Sequence, residues 1–243
     1  MGLKYSIQAT IPYDMADVNS HVRLPQLMAL AMQVSGMQSI ELGMADDKVL
    51  ADYGLVWIIS DHTLTIERLP RFLETITIET EALSHNRYFC YRIFRIFDEK
   101  GQQILEMTTT FMLMDKESRK VQPVVEAVVA PFESTFGKKM LRGPKYPSEL
   151  ENASSRDYQV RFFDLDMNGH VNNGKYLEWV YEALGAEFLT AHVPRQVDIK
   201  YVREVMADST VTTAVSLEGL VSQHQIISDG ILNAQARIEW RNL

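Results

Sequence analysis

One cysteine in 243 residues, Cys90, leaves no partner for an intrachain disulfide and too few thiols for a metal cluster. Cations are also scarce: 24 lysines and arginines face 32 acids, a net charge of −8, and no basic stripe interleaved with aromatics appears. That balance argues against nucleic acid as a general partner. No apolar run approaches the roughly 20 residues of a membrane span. The start is not signal-like, and Met1-Gly2-Leu3-Lys4 leaves no room for a transit peptide before the first strand, so a cytoplasmic location is the expectation. With 46% hydrophobic residues and few prolines and glycines, an ordinary globular chain remains, with material for one large or two small cores.

What is present centres on Asp164-Leu165-Asp166-Met167-Asn168-Gly169-His170-Val171-Asn172-Asn173, a polar loop that runs into an apolar helix. Asp166, Asn168 and His170 alternate, so an extended stretch would set them on one face. Asn172 and Asn173 are good N-cap residues, and Tyr176, Leu177, Val180, Tyr181, Leu184 and Phe188 recur at helical spacing. The first-turn N–H groups of such a helix lack intrahelical partners and could hold an oxyanion. A capped helix with a histidine packed at its entrance would account for the same residues.

A second copy tips the reading towards a site. Asp17, Asn19, His21 and Val22 match Asp166, Asn168, His170 and Val171, and a helix opening with Pro25 follows through Leu27, Met28, Ala31, Met32 and Val34 towards Gly43. The chain therefore reads as a tandem repeat: a first unit over 1–130, a proline-punctuated connection over 131–150 and a second unit over 151–243.

Each unit reads as one helix followed by antiparallel strands, an α+β arrangement. In the first, strands are expected at 4–12, 55–60, 62–67, 75–80, 88–97 and 104–114; in the second, at 155–163, 195–202, 209–218 and 231–241. The first unit carries extra chain around 45–53. Laying 64–72 over 197–205 puts Arg71 opposite Glu204, so only the second copy keeps an acid there. Asp166, Asn168, His170 and Glu204 would supply two carboxylates, an imidazole and an amide, enough to activate water and protonate a leaving group.

These residues resemble the acyl-acyl-carrier-protein thioesterases, built as two tandem hotdog domains, each an antiparallel sheet wrapped around a long central helix. The resemblance lies in Leu55-Val56-Trp57-Ile58-Ile59-Ser60 and Ile66-Glu67-Arg68-Leu69-Pro70, then in Asp164 through Asn173 with Tyr176 and Trp179, and in Tyr201-Val202-Arg203-Glu204. It implies hydrolysis of acyl-carrier thioesters to free fatty acid and carrier thiol, ending fatty acid synthesis. Asp166, Asn168, His170 and Glu204 would be catalytic, with Asn172 and Asn173 at the helix mouth beside the substrate. The first domain would house the fatty acyl chain, and Met28, Met32 and Trp57 would line it, although core packing explains those three equally well. No metal or cofactor is implied, since the substrate itself carries phosphopantetheine. An acidic carrier protein gives a use to the basic residues Lys138, Lys139, Arg142 and Lys145, otherwise a solvated linker. One departure is plain: the position after the glutamate, often cysteine in the family, is Val205 here, and Cys90 lies in the other half, so a thiol nucleophile is not expected.

Hydrolysis of acyl-coenzyme A and non-enzymatic sensing of an acyl thioester are the competing readings. A tandem chain already pairs two domains, so a monomer is possible and a homodimer through sheet edges remains open.

Overall fold

The computed structural model describes residues 2–138, 140–141, 143–167 and 169–243. It divides into two compact units, Met1–Arg142 and Gly143–Leu243.

In the first unit β1 (Lys4–Thr10) leads through a tight loop to α1 (Leu24–Glu41), then α2 (Asp46–Tyr53), β2 (Leu55–Ile66), β3 (Thr75–His85), β4 (Cys90–Phe97) and β5 (Gln103–Asp115). Short segments complete it: β6 (Val121–Gln122), α3 (Glu126–Val129) and β7 (Thr135–Phe136). The sheet runs β1-β3-β4-β5-β2, antiparallel throughout, with β6 added beside β5 and β7 lying parallel to the end of β3. Helix α1 starts with Pro25 in its first turn and buries Leu24, Leu27, Met28, Ala31, Val34 and Gln38, the three- and four-residue spacing that keeps one face on β1 and β3. The extra chain around 45–53 is α2, closed by Gly54 in the left-handed conformation. The two runs expected at 55–60 and 62–67 form one strand, β2, with a bulge between Ile59 and Asp61 where the alternation slips by a residue.

The second unit has β8 (Ser154–Gln159), α4 (Asn173–Leu184), α5 (Ala186–Ala191), β9 (His192–Tyr201), β10 (Thr210–Glu218), β11 (Val221–Ser228) and β12 (Ile231–Asn242). Its antiparallel order is β9-β12-β11-β10-β8, and α4 packs on β10, β8 and β11. Two expectations need correcting. The helix from Asn172 does not run on to Phe188: Gly185 takes φ of 84°, ends α4 and starts the separate α5, which holds Phe188. Strand β11 escaped the sequence reading because its buried positions include Ser222, His224, Gln225 and Ser228, so polar residues point inward and mask the apolar alternation. The connecting segment is shared: Thr135–Phe136 pairs with β3, whereas the Pro147 carbonyl accepts from Gln225 and Gln235 of the second unit.

Candidate active site

The two polar loops have one backbone. In the second unit Asp166 N–H donates to the His170 carbonyl at 2.7 Å, Gly169 N–H to the Asp166 carbonyl at 3.0 Å, and His170 N–H to Asp166 Oδ1 at 3.2 Å. In the first, Asp17 N–H donates to the His21 carbonyl at 2.8 Å, Ser20 N–H to the Asp17 carbonyl at 3.0 Å, and His21 N–H to Asp17 Oδ1 at 2.9 Å. Gly169 and Ser20 both have positive φ, 78° and 61°. The loop is thus a tight turn rather than an extended stretch sharing one face, because a left-handed residue folds it back and the aspartate caps the returning N–H groups. Asn168 lies outside the described residues; its counterpart Asn19 donates its N–H to Asp17 Oδ1 at 2.9 Å.

The copies part company across the seam between this loop and the segment after the next long strand. In the first unit the seam is zipped by main-chain bonds: Val22 N–H donates to the Pro70 carbonyl at 2.8 Å and Phe72 N–H to the Ser20 carbonyl at 2.9 Å, with His21 and Arg71 paired between them. His21 is 8% exposed, and burial first, then the Arg71 charge, hold its pKa below the ordinary value against a raising contribution from Asp17. In the second unit neither bond is present among the described residues. Val205 N–H donates instead to the Tyr176 hydroxyl at 2.9 Å. The carbonyls of Arg203 and Glu204 accept from Asn233 Nδ2 at 3.4 and 3.2 Å, and the Asn233 carbonyl accepts the N–H groups of Val202 and Arg203. His170 and Glu204 face each other across the opened seam, Nδ1 to Oε1 3.7 Å, with side chains 35% and 40% exposed.

Helix α4 begins at Asn173, shortly after His170 in the chain. Asn172 is its N-cap, its Oδ1 accepting from Gly174 N–H at 2.8 Å, whereas Arg23 at the same place before α1 makes no side-chain cap bond. The Asn173 carbonyl accepts from the Tyr201 hydroxyl at 3.1 Å. Asp164, 2% exposed, ties both ends of the loop: its carbonyl accepts Asn172 N–H, and its carboxylate accepts Arg161 N–H at 2.9 Å and pairs with Lys175 Nζ at 3.3 Å. Lys175 also pairs with Glu178. Burial works against the Lys175 ammonium, but the ion pairs with Glu178 and Asp164 outweigh it and raise its pKa. The corresponding residues of the first copy, Met15, Gln26 and Ala29, carry no charge. A cleft of about 340 Å³ runs along this side of α4, lined among others by Asp157, Arg161, Asp164, Lys175 and Trp179.

The other expected residues lie apart. Met28 is buried on α1 and Met32 half-buried. Trp57 packs against Val49, Leu55, Leu113 and Val128, a cluster from α2, β2, β5 and α3 to which neither methionine belongs. Lys138 and Lys145 are exposed, and Lys139 and Arg142 lie outside the described residues. Cys90 opens β4 in the first unit, where burial pushes its thiol up to about 12. Among the described residues no cluster of His, Cys, Asp and Glu could hold a metal, and no helix is long and apolar enough to cross a membrane. Sequence reasoning missed Tyr176 as an acceptor, Asn233 and the Asp164–Lys175 pair. The signal for the first was available in the repeat, since Tyr176 stands where the first copy has Leu27; Asn233 left none.

Comparison with known proteins matches residues 2–132 to the acyl-ACP thioesterase N-terminal domain and residues 147–242 to the C-terminal domain. A dodecanoyl-[acyl-carrier-protein] hydrolase, chloroplastic, of Umbellularia californica is 26% identical over 202 residues, covering 77% of this chain and 53% of that protein. An oleoyl-acyl carrier protein thioesterase, chloroplastic, of Coriandrum sativum is 24% identical over 234 residues, covering 89% and 63%. The chain thus spans between half and two thirds of the length of these relatives. A crystal structure of a candidate oleoyl thioesterase from Lactobacillus plantarum superposes with a TM-score of 0.94 at 32% identity, covering 100% of this chain and 97% of that one.

Proposed function

The chain belongs to the acyl-ACP thioesterase family, and from that premise we propose that it hydrolyses acyl-[acyl-carrier-protein] thioesters to free fatty acid and carrier thiol, with the chemistry in the second unit. The observation that carries this reading is the His170–Glu204 pair facing across an open seam at the start of α4, where the first copy is closed and holds Arg71.

In the proposed reaction Glu204 takes a proton from a water, and the water oxygen forms a bond to the thioester carbonyl carbon. The carbonyl oxygen gains negative charge and is held by first-turn N–H groups of α4. The intermediate collapses with cleavage of the carbon–sulfur bond, and the proton passes from Glu204, with His170 assisting, to the departing sulfur. Asn168 positions the water or the substrate. Direct attack by Asp166 is the less favoured route, because its carboxylate accepts His170 N–H, the same loop-holding duty that Asp17 performs in the copy without Glu204. Oxygen-18 water with excess enzyme separates the routes: label recovered in Asp166 would overturn the water mechanism.

The acyl chain is assigned to the first unit, with Met28, Met32 and Trp57 as candidate lining, and the docking surface to Lys138, Lys139, Arg142 and Lys145, which would meet an acidic carrier. Asn172 and Asn173, at the start of α4, are assigned to substrate binding. No cofactor is needed beyond the phosphopantetheine that the substrate brings. A single cysteine builds no disulfide framework, and we assign the cytoplasm; cell fractionation tests it. The deciding experiment measures thiol release from matched acyl-carrier-protein and acyl-coenzyme A substrates of several chain lengths. Faster cleavage of the carrier substrates supports the proposal, preference for coenzyme A replaces the partner, and no release from either returns the site to a sensing role.

A further inference from the structure

The geometry points to Tyr176 as a positioning residue: its hydroxyl keeps the seam open and sets Glu204 opposite His170. This rests on the hydrolytic reading of that site. Val205 is fully buried, so its N–H must find an acceptor inside the protein. Its counterpart in the first copy, Phe72, uses the Ser20 carbonyl of the polar loop and so draws the two segments together. Repeated in the second unit, that bond would run from Val205 N–H to the Gly169 carbonyl and zip the histidine and the acid into one backbone ladder, as His21 and Arg71 are zipped in the first copy. Tyr176 intercepts the donor at 2.9 Å. The first copy has Leu27 in its place, which has no oxygen to offer.

The phenol is itself fixed. Its ring is buried, set edge-on to Tyr201 with centroids 5.3 Å apart and tilted against Trp179 at 5.6 Å. The Tyr201 hydroxyl in turn is tied to the Asn173 carbonyl in the first turn of α4. One hydroxyl oxygen therefore references the Glu204 segment to the helix end that would face the substrate carbonyl. From the other side Asn233 holds the Arg203 and Glu204 carbonyls; it is 1% exposed, and its Oδ1 accepts the Ser228 N–H and hydroxyl, so it cannot swing. Because Tyr176 accepts the Val205 N–H, its own O–H hydrogen remains to donate. Burial, and the Glu204 charge beyond it, push its pKa up to about 12 against the lowering bond from Val205, so that hydrogen stays in place across the working range.

Tyr176→Phe removes one oxygen and keeps the ring, so the fold should survive, and a melting curve within a few degrees of wild type checks it. With acyl-carrier substrate, kcat should fall about tenfold or more while KM moves less than about twofold, because the interaction lost serves the transition state rather than binding. The discriminating measurement repeats the change in a Glu204→Gln background. If Tyr176 works through Glu204, the second loss shrinks to less than about twofold. A tenfold loss in both backgrounds would mean a general structural role and overturn the inference, as would full activity in Tyr176→Phe. Should the wild type release no thiol at all, the hydrolytic reading falls and takes this inference with it; an active wild type with an indifferent Tyr176→Phe removes the inference alone.

Discussion

His21 and His170 stand on the same turn, held by the same three hydrogen bonds, yet one is closed under main-chain pairing beside an arginine and the other looks across a gap at a glutamate. The difference is not in the loop. It lies in what the facing segment brings, Arg71 or Glu204, and in whether that segment is bonded to the loop or held away from it by Tyr176 and Asn233. The Asp-x-Asn-x-His pattern is therefore a turn-forming unit first. In the proposed mechanism the chemistry is added by a residue far along the chain, Glu204, and the turn alone would not make an imidazole at a helix entrance a catalyst.

The most direct way to break the comparison is to exchange what faces the histidines. Glu204→Ala should lower thioester hydrolysis by about 100-fold or more, whereas Arg71→Ala should leave it at the wild-type rate; equal losses would mean that both copies share the work. Arg71→Glu supplies an acid but not an open seam, so it should add no activity to the Glu204→Ala protein, and any rescue would count against the seam.

A pH titration of stability sharpens the same contrast. Burial holds the pKa of His21 and His62 in the first unit and of His224 in the second below the ordinary value, that of the last two near 3. The unfolded chain binds protons on His62 and His224 from about pH 6.5 downward while the folded chain does not, so their contribution to stability is complete above that pH and declines as pH falls towards 3. Each fully neutral histidine contributes a slope of about 1.4 kcal/mol per pH unit in that window. Denaturant titrations between pH 6 and 4 should show the slope reduced in His62→Gln, and an unchanged slope would mean that His62 protonates in the folded state.

Smaller effects follow at the helix starts. Asn172→Ala removes a cap bond and should cost about 1 kcal/mol in chemical denaturation; Arg23→Ala, which removes none, should lie within about 0.5 kcal/mol of wild type. The smallest change concerns docking. Lys138→Glu combined with Lys145→Glu should raise KM about 3-fold for carrier substrates through lost steering and leave short artificial thioesters unaffected; equal shifts for both would remove this segment from the interface.

What the chain disclosed in advance was local. Turn and cap chemistry is written within ten residues, so the place of both loops, the helix starts and the repeat could be read directly, though not the folding back of the loops at Ser20 and Gly169, and most strands followed from alternation in Val, Ile, Thr and Phe. The opposition of Arg71 and Glu204 was readable because the strands before them align. Features set by tertiary placement were not. Strand β11 turns Ser222 and His224 inward, Gly185 interrupts a pattern that looked continuous, and the bond from Val205 to Tyr176 joins residues 29 positions apart with no periodicity between them. The contrast of Leu27 with Tyr176 was present all along, but its meaning depends on which N–H the hydroxyl meets.

A thioester hydrolase is followed most simply by a disulfide dye that colours when it meets free sulfhydryl, and such dyes usually report the catalyst as well as the product. In this chain the lone sulfhydryl is half-buried Cys90 at the head of β4, whose thiol burial pushes up to about 12. Only the ionised form reacts, so at the mildly alkaline pH of a dye assay this residue contributes almost no colour. The same chemistry slows its reaction with iodoacetamide, which under the proposed activity would cap the released carrier before it modified Cys90 and let reactions be followed to completion.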